Sequence, residues 1–272
     1  MPMLRAASPA LLAAGLFASA AAAQMPFEQA ARELSSPDRD ARLRAARLLK
    51  ESAYVEAAVP LALLVTDPDD AVQLEAIAAE LNIFLAEKIV SRRRIGLVVE
   101  VRTKVAAEAA FAAGPSALAT APVPVDVLTA LRAASRDDNP QVAVEASYAY
   151  GVLSADVAGG LRRDLQRASA PDLAALLGVP DAPLRLAAIR VIGRLFARRP
   201  QDGPVDEVAG DAAIVALNDN DRAVRAAAME ARSGDPAALA VVEPLVRDND
   251  SDVARAAARA VAWLQAASRD EP

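Results

Sequence analysis

Apolar residues along this chain recur at the spacing of a helix face. Counting from Val253, apolar residues follow at positions +4, +7 and +11, which keeps the side chains on one side of an α-helix. The same template recurs in segments that begin at Val72, Val142 and Leu184, and two weaker copies, with Ser52 or Asp235 at +11, begin at Ala41 and Val224. The residue at +4 is alanine in all of them: Ala45, Ala76, Ala146, Ala188, Ala228 and Ala257. The pattern predicts amphipathic helices that a partner helix crosses closely at the small residue.

A second apolar series stands at +5 and +8 of the same template. It includes Ala46 with Leu49, Ile189 with Ile192 and Ala258 with Val261, and it has polar exceptions at Glu80 and Arg232. A helix with two adjacent apolar faces must be covered on two sides, as in a stacked repeat array. The +4 alanines are 31, 70, 42, 40 and 29 residues apart. Since 70 is about two units, we expect a degenerate repeat between them, with a helix over roughly residues 96–113.

Short polar motifs precede several of these helices. Ser36-Pro37-Asp38, Asp67-Pro68-Asp69, Asn139-Pro140 and Asp235-Pro236 each place a capping side chain before a proline, and so predict helix starts. The acidic stretch at residues 248–252 (DNDSD) poses a choice between a helix cap and a calcium loop. A calcium loop that began at Asp248 would need Gly and Glu where Val253 and Arg259 stand. The stretch is therefore interpreted as a cap.

Composition agrees with an all-helical fold. The 272-residue chain is 54% hydrophobic but only 3% aromatic, so alanine and leucine must fill its core. Alanine is the best helix former, whereas sheets favour β-branched and aromatic residues. We therefore expect an all-α protein.

The repeated motif resembles that of a known family. The pattern Asp-Pro-x-x-x-Val-x-x-x-Ala, and residues 231–264 in particular, are similar to HEAT repeats of the short type also found in phycobilin-lyase-like proteins. The resemblance implies an α-solenoid, a superhelix of about six or seven stacked antiparallel helix pairs of HEAT-like or armadillo type, over residues 24–272. Residues 88–125 interrupt it with an atypical basic stretch and a Pro- and Ala-rich stretch that we expect to be a loop.

The resemblance also implies a ladder of ion pairs along the stack. Its members would be an Asp in the turn of each pair and an Arg just after the first core aliphatic residue. Asp219 and Arg225 match both positions, Arg42 and Arg185 match the second alone, and Asp67, Asp137 and Asp248 match the first alone. Gln73, Ala143 and Ala254 depart from the pattern, so a continuous ladder is not expected.

The N-terminus has the features of a secretory signal. Residues 1–23 contain one Arg, an apolar stretch and three alanines before Gln24. The apolar part is shorter than the ~20 residues that a bilayer span needs. We therefore expect cleavage after Ala23, export to the periplasm or the outside of a bacterial cell, and no integral membrane segment in the mature chain.

Charge and missing residue types exclude several functions. The net charge of −6 disfavours binding to nucleic acids and to anionic membranes. The sequence has no His and no Cys, which excludes Ser-His-Asp triads, Cys nucleophiles and zinc sites with imidazole or thiolate ligands. No sequence motif indicates a cofactor, so we expect a protein that is not an enzyme.

One segment departs from the acidic character of the chain. Residues 88–104 contain six basic residues, Lys88, Arg92, Arg93, Arg94, Arg102 and Lys104, and one acidic residue, Glu100. The segment is either a solvated face or a docking patch for an acidic partner. The sequence as a whole favours a non-catalytic scaffold or adaptor of the cell envelope that binds an unidentified protein or peptide. The alternatives are a hydrolase or lyase-like enzyme that uses only carboxylates, and a regulatory subunit of an envelope complex.

Overall fold

A computed structural model describes residues 27–85, 92–94, 97–99, 106–112, 121–155, 157, 159–196, 207–232 and 238–267. The predicted signal peptide at residues 1–23 and the Asp235-Pro236 motif lie outside these ranges. None of the helices in the described ranges has the length and hydrophobicity of a membrane span.

Helices make up nearly all of the described chain. They are α1 (Phe27–Glu33), α2 (Arg39–Ser52), α3 (Ala58–Ala62), α4 (Asp70–Phe84), α5 (Ala107–Ala112), α6 (Val125–Ala134), α7 (Pro140–Leu153), α8 (Gly159–Leu176), α9 (Ala182–Leu195), α10 (Glu207–Ala216), α11 (Arg222–Arg232), α12 (Leu239–Val242) and α13 (Ser251–Ala267). Short 3₁₀ turns, Val55–Ala57 and Leu63–Thr66, flank α3, and another, Glu243–Arg247, follows α12. The remaining elements are two short strands, β1 (Arg92–Arg94) and β2 (Leu97–Val99).

The helices form six pairs that stack in chain order within the described ranges. The second helices of the pairs, α2, α4, α7, α9, α11 and α13, each contact the next one in this series. The first helices are α1, the segment around α3, α6, α8, α10 and the segment around α12, and each packs on the second helix that follows it. This is the predicted all-α solenoid, with one small hairpin inserted.

The predicted core positions are buried. All six alanines at +4 have no exposed surface. Because alanine has no side chain beyond Cβ, the helix that packs there can approach closely. The template therefore identifies positions of each second helix that lie in the core.

The second apolar stripe is buried on several second helices. Leu49 and Ile192, at +8 of α2 and α9, are 1% and 3% exposed, and Glu80 occupies the same position of α4 with 0% exposed. On α13, Ala258 is exposed. Val261, at +8 of the same helix, is partly buried against the core, so the second stripe of α13 is only partly covered within the described ranges.

The helix starts are confirmed where the structure describes them, but the capping residue differs from the prediction. At the first two motifs the side chain that accepts the helix amides is the Asp after the proline: Asp38 caps α2 and Asp69 caps α4. Of the predicted motifs that the structure describes, only Asn139-Pro140 at α7 has its cap before a proline in the first turn. Pro37 and Pro68 therefore belong to the turn and not to the helix.

The prediction of a degenerate repeat with a helix over residues 96–113 is wrong. Leu97–Val99 pairs antiparallel with Arg92–Arg94, with Arg93 opposite Val98, so the first part of the expected helix over residues 96–113 is a β-hairpin. Helix α5 covers only Ala107–Ala112. The β-branched residues Val98 and Val99 favour a strand. Residues 121–124 form the expected loop before α6, and residues 113–120 lie outside the described ranges.

Candidate functional site

The six basic residues predicted as a docking patch are only partly described. Arg92, Arg93 and Arg94 form β1, and the hairpin places their backbone opposite Leu97–Val99. Lys88, Arg102 and Lys104 lie outside the described residues. The structure thus brings three consecutive arginines onto one short strand.

The turns between helices of a pair carry the ion-pair ladder. Arg225 donates from Nε and Nη2 to the two carboxylate oxygens of Asp248, at 3.0 and 3.1 Å. Its Nη1 donates to the carbonyl oxygens of Asp219 and Asn220, at 2.8 and 3.2 Å. Each arginine thereby ties its own turn to the turn of the next repeat.

The same four hydrogen bonds recur in two other repeats. Arg42 binds Asp67 with distances of 2.7 and 2.9 Å, and Arg185 binds Asp219 with distances of 2.8 and 2.9 Å. The Arg185 guanidinium holds the pKa of Asp219 below its ordinary value. These three pairs confirm the ladder that the resemblance implied.

The ladder is interrupted at one internal junction. The positions of the donor and the acceptor there are taken by Ala143 and Val179. Because the donor and the acceptor are both replaced by apolar residues, neither position carries an unpaired charge. Gln73, which also departs from the pattern, still donates to Asp137, with Nε2 and Oδ2 2.8 Å apart. The expectation of a break at Gln73 was therefore wrong.

The acidic turns are satisfied by backbone amides and arginines. Asp248 Oδ1 accepts from the amide of Asp250, and Asp250 Oδ1 accepts from the amides of Asp252 and Val253. These backbone bonds, together with Arg225 beside Asp248 and Arg222 beside Asp250, hold the pKa of both carboxyls below its ordinary value. Within the described ranges no three acidic residues are grouped as metal ligands. The cap interpretation of residues 248–252 accounts for this geometry.

A surface of the second helices is covered by the chain itself. Helix α5 belongs to the insertion between α4 and α6, and it packs on α7. Its first amide, at Ala107, donates to Glu145 Oε2 on α7 at 3.2 Å. Glu108 forms an ion pair with Arg190 on α9, with Nη1 and Oε1 3.2 Å apart. The helix therefore bridges the second helices of two successive pairs.

Phe111 is partly buried and makes the aromatic contacts of α5. Its ring lies 5.3 Å from the Tyr148 ring, and the Arg194 guanidinium lies 4.8 Å above it. Arg194 also donates to the Phe111 carbonyl oxygen at 3.1 Å. A Cβ placed on Gly151 would come within 2.6 Å of Phe111 Cε2 and 2.9 Å of Val191 Cγ2. Glycine at this position thus admits both the ring and the close approach of α9.

Arg190 contacts both Glu108 of α5 and Tyr148 of α7. Besides Glu108, it donates to the Tyr148 hydroxyl at 3.0 Å. Burial raises the pKa of Tyr148, and Arg190 partly opposes this shift. We name the surface formed by Glu145, Tyr148, Gly151, Arg190, Val191 and Arg194 the α5 seat.

Sequence reasoning missed this seat. Its one signal was Gly151 at +9 of the α7 template, a position that Gly193 also occupies on α9. A Cβ on Gly193 would lie 3.1 Å from Ala231 of α11. A glycine inside a predicted amphipathic helix indicates close approach of a neighbour. It does not say which neighbour approaches.

Solved structures share this architecture at low identity. A designed armadillo repeat protein in complex with the peptide (KR)4 is 18% identical, and the match covers 88% of this chain and 100% of that one with a TM-score of 0.59. A computationally designed armadillo repeat protein for modular peptide recognition is 18% identical over 88% of this chain and 99% of its own, with a TM-score of 0.56. A structure of Kap95p with RanGDP is 15% identical over 91% of this chain and 30% of that one, with a TM-score of 0.50.

Sequence comparison adds no relative to these. Models of known protein families and curated proteins give no match to the chain. At these identities the structural likeness shows the fold alone. The chain is an all-α repeat protein with the architecture of the armadillo and HEAT-like solenoids.

Proposed function

We propose that this protein is a non-catalytic scaffold that binds a protein or peptide through its row of second helices. The observation that carries the proposal is the unbroken contact from α2 through α4, α7, α9 and α11 to α13. Such a row offers an extended surface along which a partner contacts several repeats at once. Two of the structural neighbours are described as peptide-recognising designs, which supports the same kind of partner.

The alternative of a carboxylate-only enzyme has less support. Glu80, whose pKa burial raises to about 9, lies on α4 and is fully buried. A catalytic acid must reach its substrate, and Glu80 has no exposed surface. The acids of the turns, such as Asp219 and Asp248, are held by arginines and backbone amides. The chain has no His and no Cys to take over the chemistry.

Site-specific photocrosslinking in the native cell tests the scaffold. A photoreactive residue at Arg47 on α2 or Arg259 on α13 samples the second helices, and matched positions Leu63 and Val215 sample the first helices. All four positions are exposed. We expect one discrete adduct from the first two positions and none from the controls. No adduct from Arg47 or Arg259, or turnover that is lost when a single acid is neutralised, would contradict the proposal.

We also propose that the scaffold acts in the bacterial envelope, because residues 1–23 have the composition of a secretory signal. Cell fractionation with N-terminal sequencing tests this. The expected mature chain is periplasmic or secreted and begins at Gln24. A cytoplasmic chain that retains Met1 would rule out export.

The basic segment is a second proposed contact for the partner. Arg92, Arg93 and Arg94 lie together on β1, and their charge opposes the acidic net charge of the chain. Changing all three to Glu is expected to leave helicity and melting unchanged but to abolish the partner adduct. A matched variant changes the exposed Arg163 and Arg167 of α8 to Glu and should keep the adduct. If the adduct survives the first change, β1 is only a solvated edge.

A further inference from the structure

The repeats on the two sides of the insertion contact each other directly. Helix α4 contacts α7 directly, although the insertion separates them in sequence. Two side-chain hydrogen bonds cross the same junction: Gln73 donates to Asp137 at 2.8 Å, and Asn139 donates to Asp70 at 2.6 Å. The solenoid is thus continuous beneath the insertion, and α5 lies on it as an added element.

Helix α5 also has little stability of its own. A helix of six residues, Ala107–Ala112, is far below the ~12–15 residues at which isolated helices become marginally stable in water. Its ion pair is largely solvated, since the Glu108 side chain is 61% exposed and that of Arg190 36%. Exposed pairs of this kind contribute little to stability. The main anchors are Phe111 and the two buried alanines, Ala107 and Ala110.

We infer that the α5 seat is a binding site for a short helical segment of a partner protein, and that α5 occupies it as an internal substitute. This inference rests on the proposed scaffold function and names its site. The seat defines the chemistry of the partner through the groups that α5 presents to it. These are a free amide at the helix start for Glu145, a carboxylate for Arg190 and an aromatic ring three residues after that carboxylate for Tyr148 and Arg194.

The same contacts set the size limits of the partner. The residue before the carboxylate and the residue before the ring correspond to Ala107 and Ala110, which are 0% and 2% exposed. Larger side chains at these two places would lift the helix off α7. The recognised segment is therefore a helix with a small residue, an acid, any residue, a small residue and an aromatic residue in order.

We expect α5 to compete with the partner segment for the seat and so to regulate binding. Because α5 is tethered to the seat, its effective concentration is high, and a separate peptide must overcome it. A variant with Glu108→Ala and Phe111→Ala removes the ion pair and the aromatic anchor of α5 and changes no residue of the repeats. The probe is a fluorescent peptide of residues 104–114, KVAAEAAFAAG, and the measurement is fluorescence anisotropy.

The peptide should bind the opened variant at least about tenfold more tightly than the wild-type chain. Adding Arg190→Glu to the opened variant should weaken binding, because it places two like charges together, and a peptide with Arg in place of its Glu should restore it. Arg167→Glu, a change at an exposed position of α8, is the matched control and should leave binding unchanged. Equal binding to wild type and opened variant, or none to an opened variant that retains its helicity, would overturn the inference.

A second variant protects the test against misfolding. Glu108→Arg changes only an exposed side chain and places two like charges at the ion pair. It should loosen α5 and raise peptide binding above the wild-type level, and an unchanged affinity would count against the site. If the peptide does not bind the α5 seat while the Arg47 and Arg259 adducts persist, the scaffold function is retained and only the proposed binding site is wrong. Loss of those adducts would instead remove the scaffold itself.

Discussion

Gln73 donates a hydrogen bond to Asp137 across the junction at which the insertion leaves the repeats, with Nε2 and Oδ2 2.8 Å apart. The two residues are 64 positions apart in sequence. Gln73 occupies the place of the ladder arginines and is 3% exposed. A neutral amide thus preserves the connection between α4 and the next turn that Arg42, Arg185 and Arg225 provide elsewhere.

Replacing Gln73 by Ala should destabilise the protein by about 1 kcal/mol, the net contribution of one buried hydrogen bond. Asp137 keeps its bond from the Asn139 amide, so the loss is limited. Urea denaturation measures the change, and Gln141→Ala on the exposed face of α7 serves as the control with no expected loss. Equal effects of the two substitutions would show that the Gln73 bond does not stabilise the junction.

Replacing Arg185 by Ala should cost more, about 2–3 kcal/mol, because it removes two charged hydrogen bonds and two bonds to carbonyls. The exposed Arg167→Ala on α8 should change stability by less than about 0.5 kcal/mol. Arg185 keeps the pKa of Asp219 low, so this stabilisation is present above the unfolded-state pKa of about 3.9 and is lost as pH falls through the folded value. The difference between wild type and Arg185→Ala should therefore shrink below about pH 4. A difference that stays constant to pH 2 would contradict this origin.

Glu80 should make the protein less stable as pH rises. Burial raises its pKa to about 9 from an ordinary 4.5, and neither carboxylate oxygen has a hydrogen-bond partner. Folding then favours the protonated form, so stability is full below pH 4.5 and falls, by at most about 1.4 kcal/mol per pH unit, until pH 9. Glu80→Gln should remove this slope between pH 5 and 8 in urea denaturation. The exposed Glu56→Gln is the control, and parallel curves for wild type and Glu80→Gln would refute the assignment.

Gly151→Ala should destabilise the protein although alanine favours a helix. The new Cβ would meet Phe111 Cε2 at 2.6 Å and Val191 Cγ2 at 2.9 Å, and crowding of this kind costs about 1–3 kcal/mol. Gly160→Ala on α8 meets nothing within 4 Å and should gain up to about 1 kcal/mol. Thermal unfolding of both variants, alone and with Phe111→Ala, makes the test. Phe111→Ala should relieve part of the destabilisation that Gly151→Ala causes. If the effects of the two substitutions simply add, Phe111 does not contact Gly151.

The regular part of this fold could be predicted from sequence because each second helix repeats the same physical demand. Ala76, Ala146 and Ala188 are buried where the template placed them, since a close helix crossing tolerates only a small side chain. The ladder could be predicted at Asp219 and Arg225, whose side chains match the motif in type. The exposed Ala258 shows the limit of the template, which does not indicate whether another helix follows.

The insertion could not be predicted, because no repeat constrains it. Residues 96–113 were expected to form one helix, yet Leu97–Val99 is a strand and α5 begins only at Ala107. The seat of α5 depends on contacts between residues about 80 positions apart, such as Glu108 with Arg190. Gln73 was taken for a break in the ladder because sequence matching compares residue types and does not show which donor reaches Asp137.

The most direct test of the account is amide hydrogen exchange along the native chain, measured by mass spectrometry. Its central claim is that the repeats form a continuous solenoid on which α5 lies as a separable element. We expect the amides of α4, α7 and α9 to exchange together, with the protection of global unfolding, and those of Ala107–Ala112 to exchange much faster through local opening. Equal protection of α5 and α7, or independent exchange of α4 and α7, would contradict the claim.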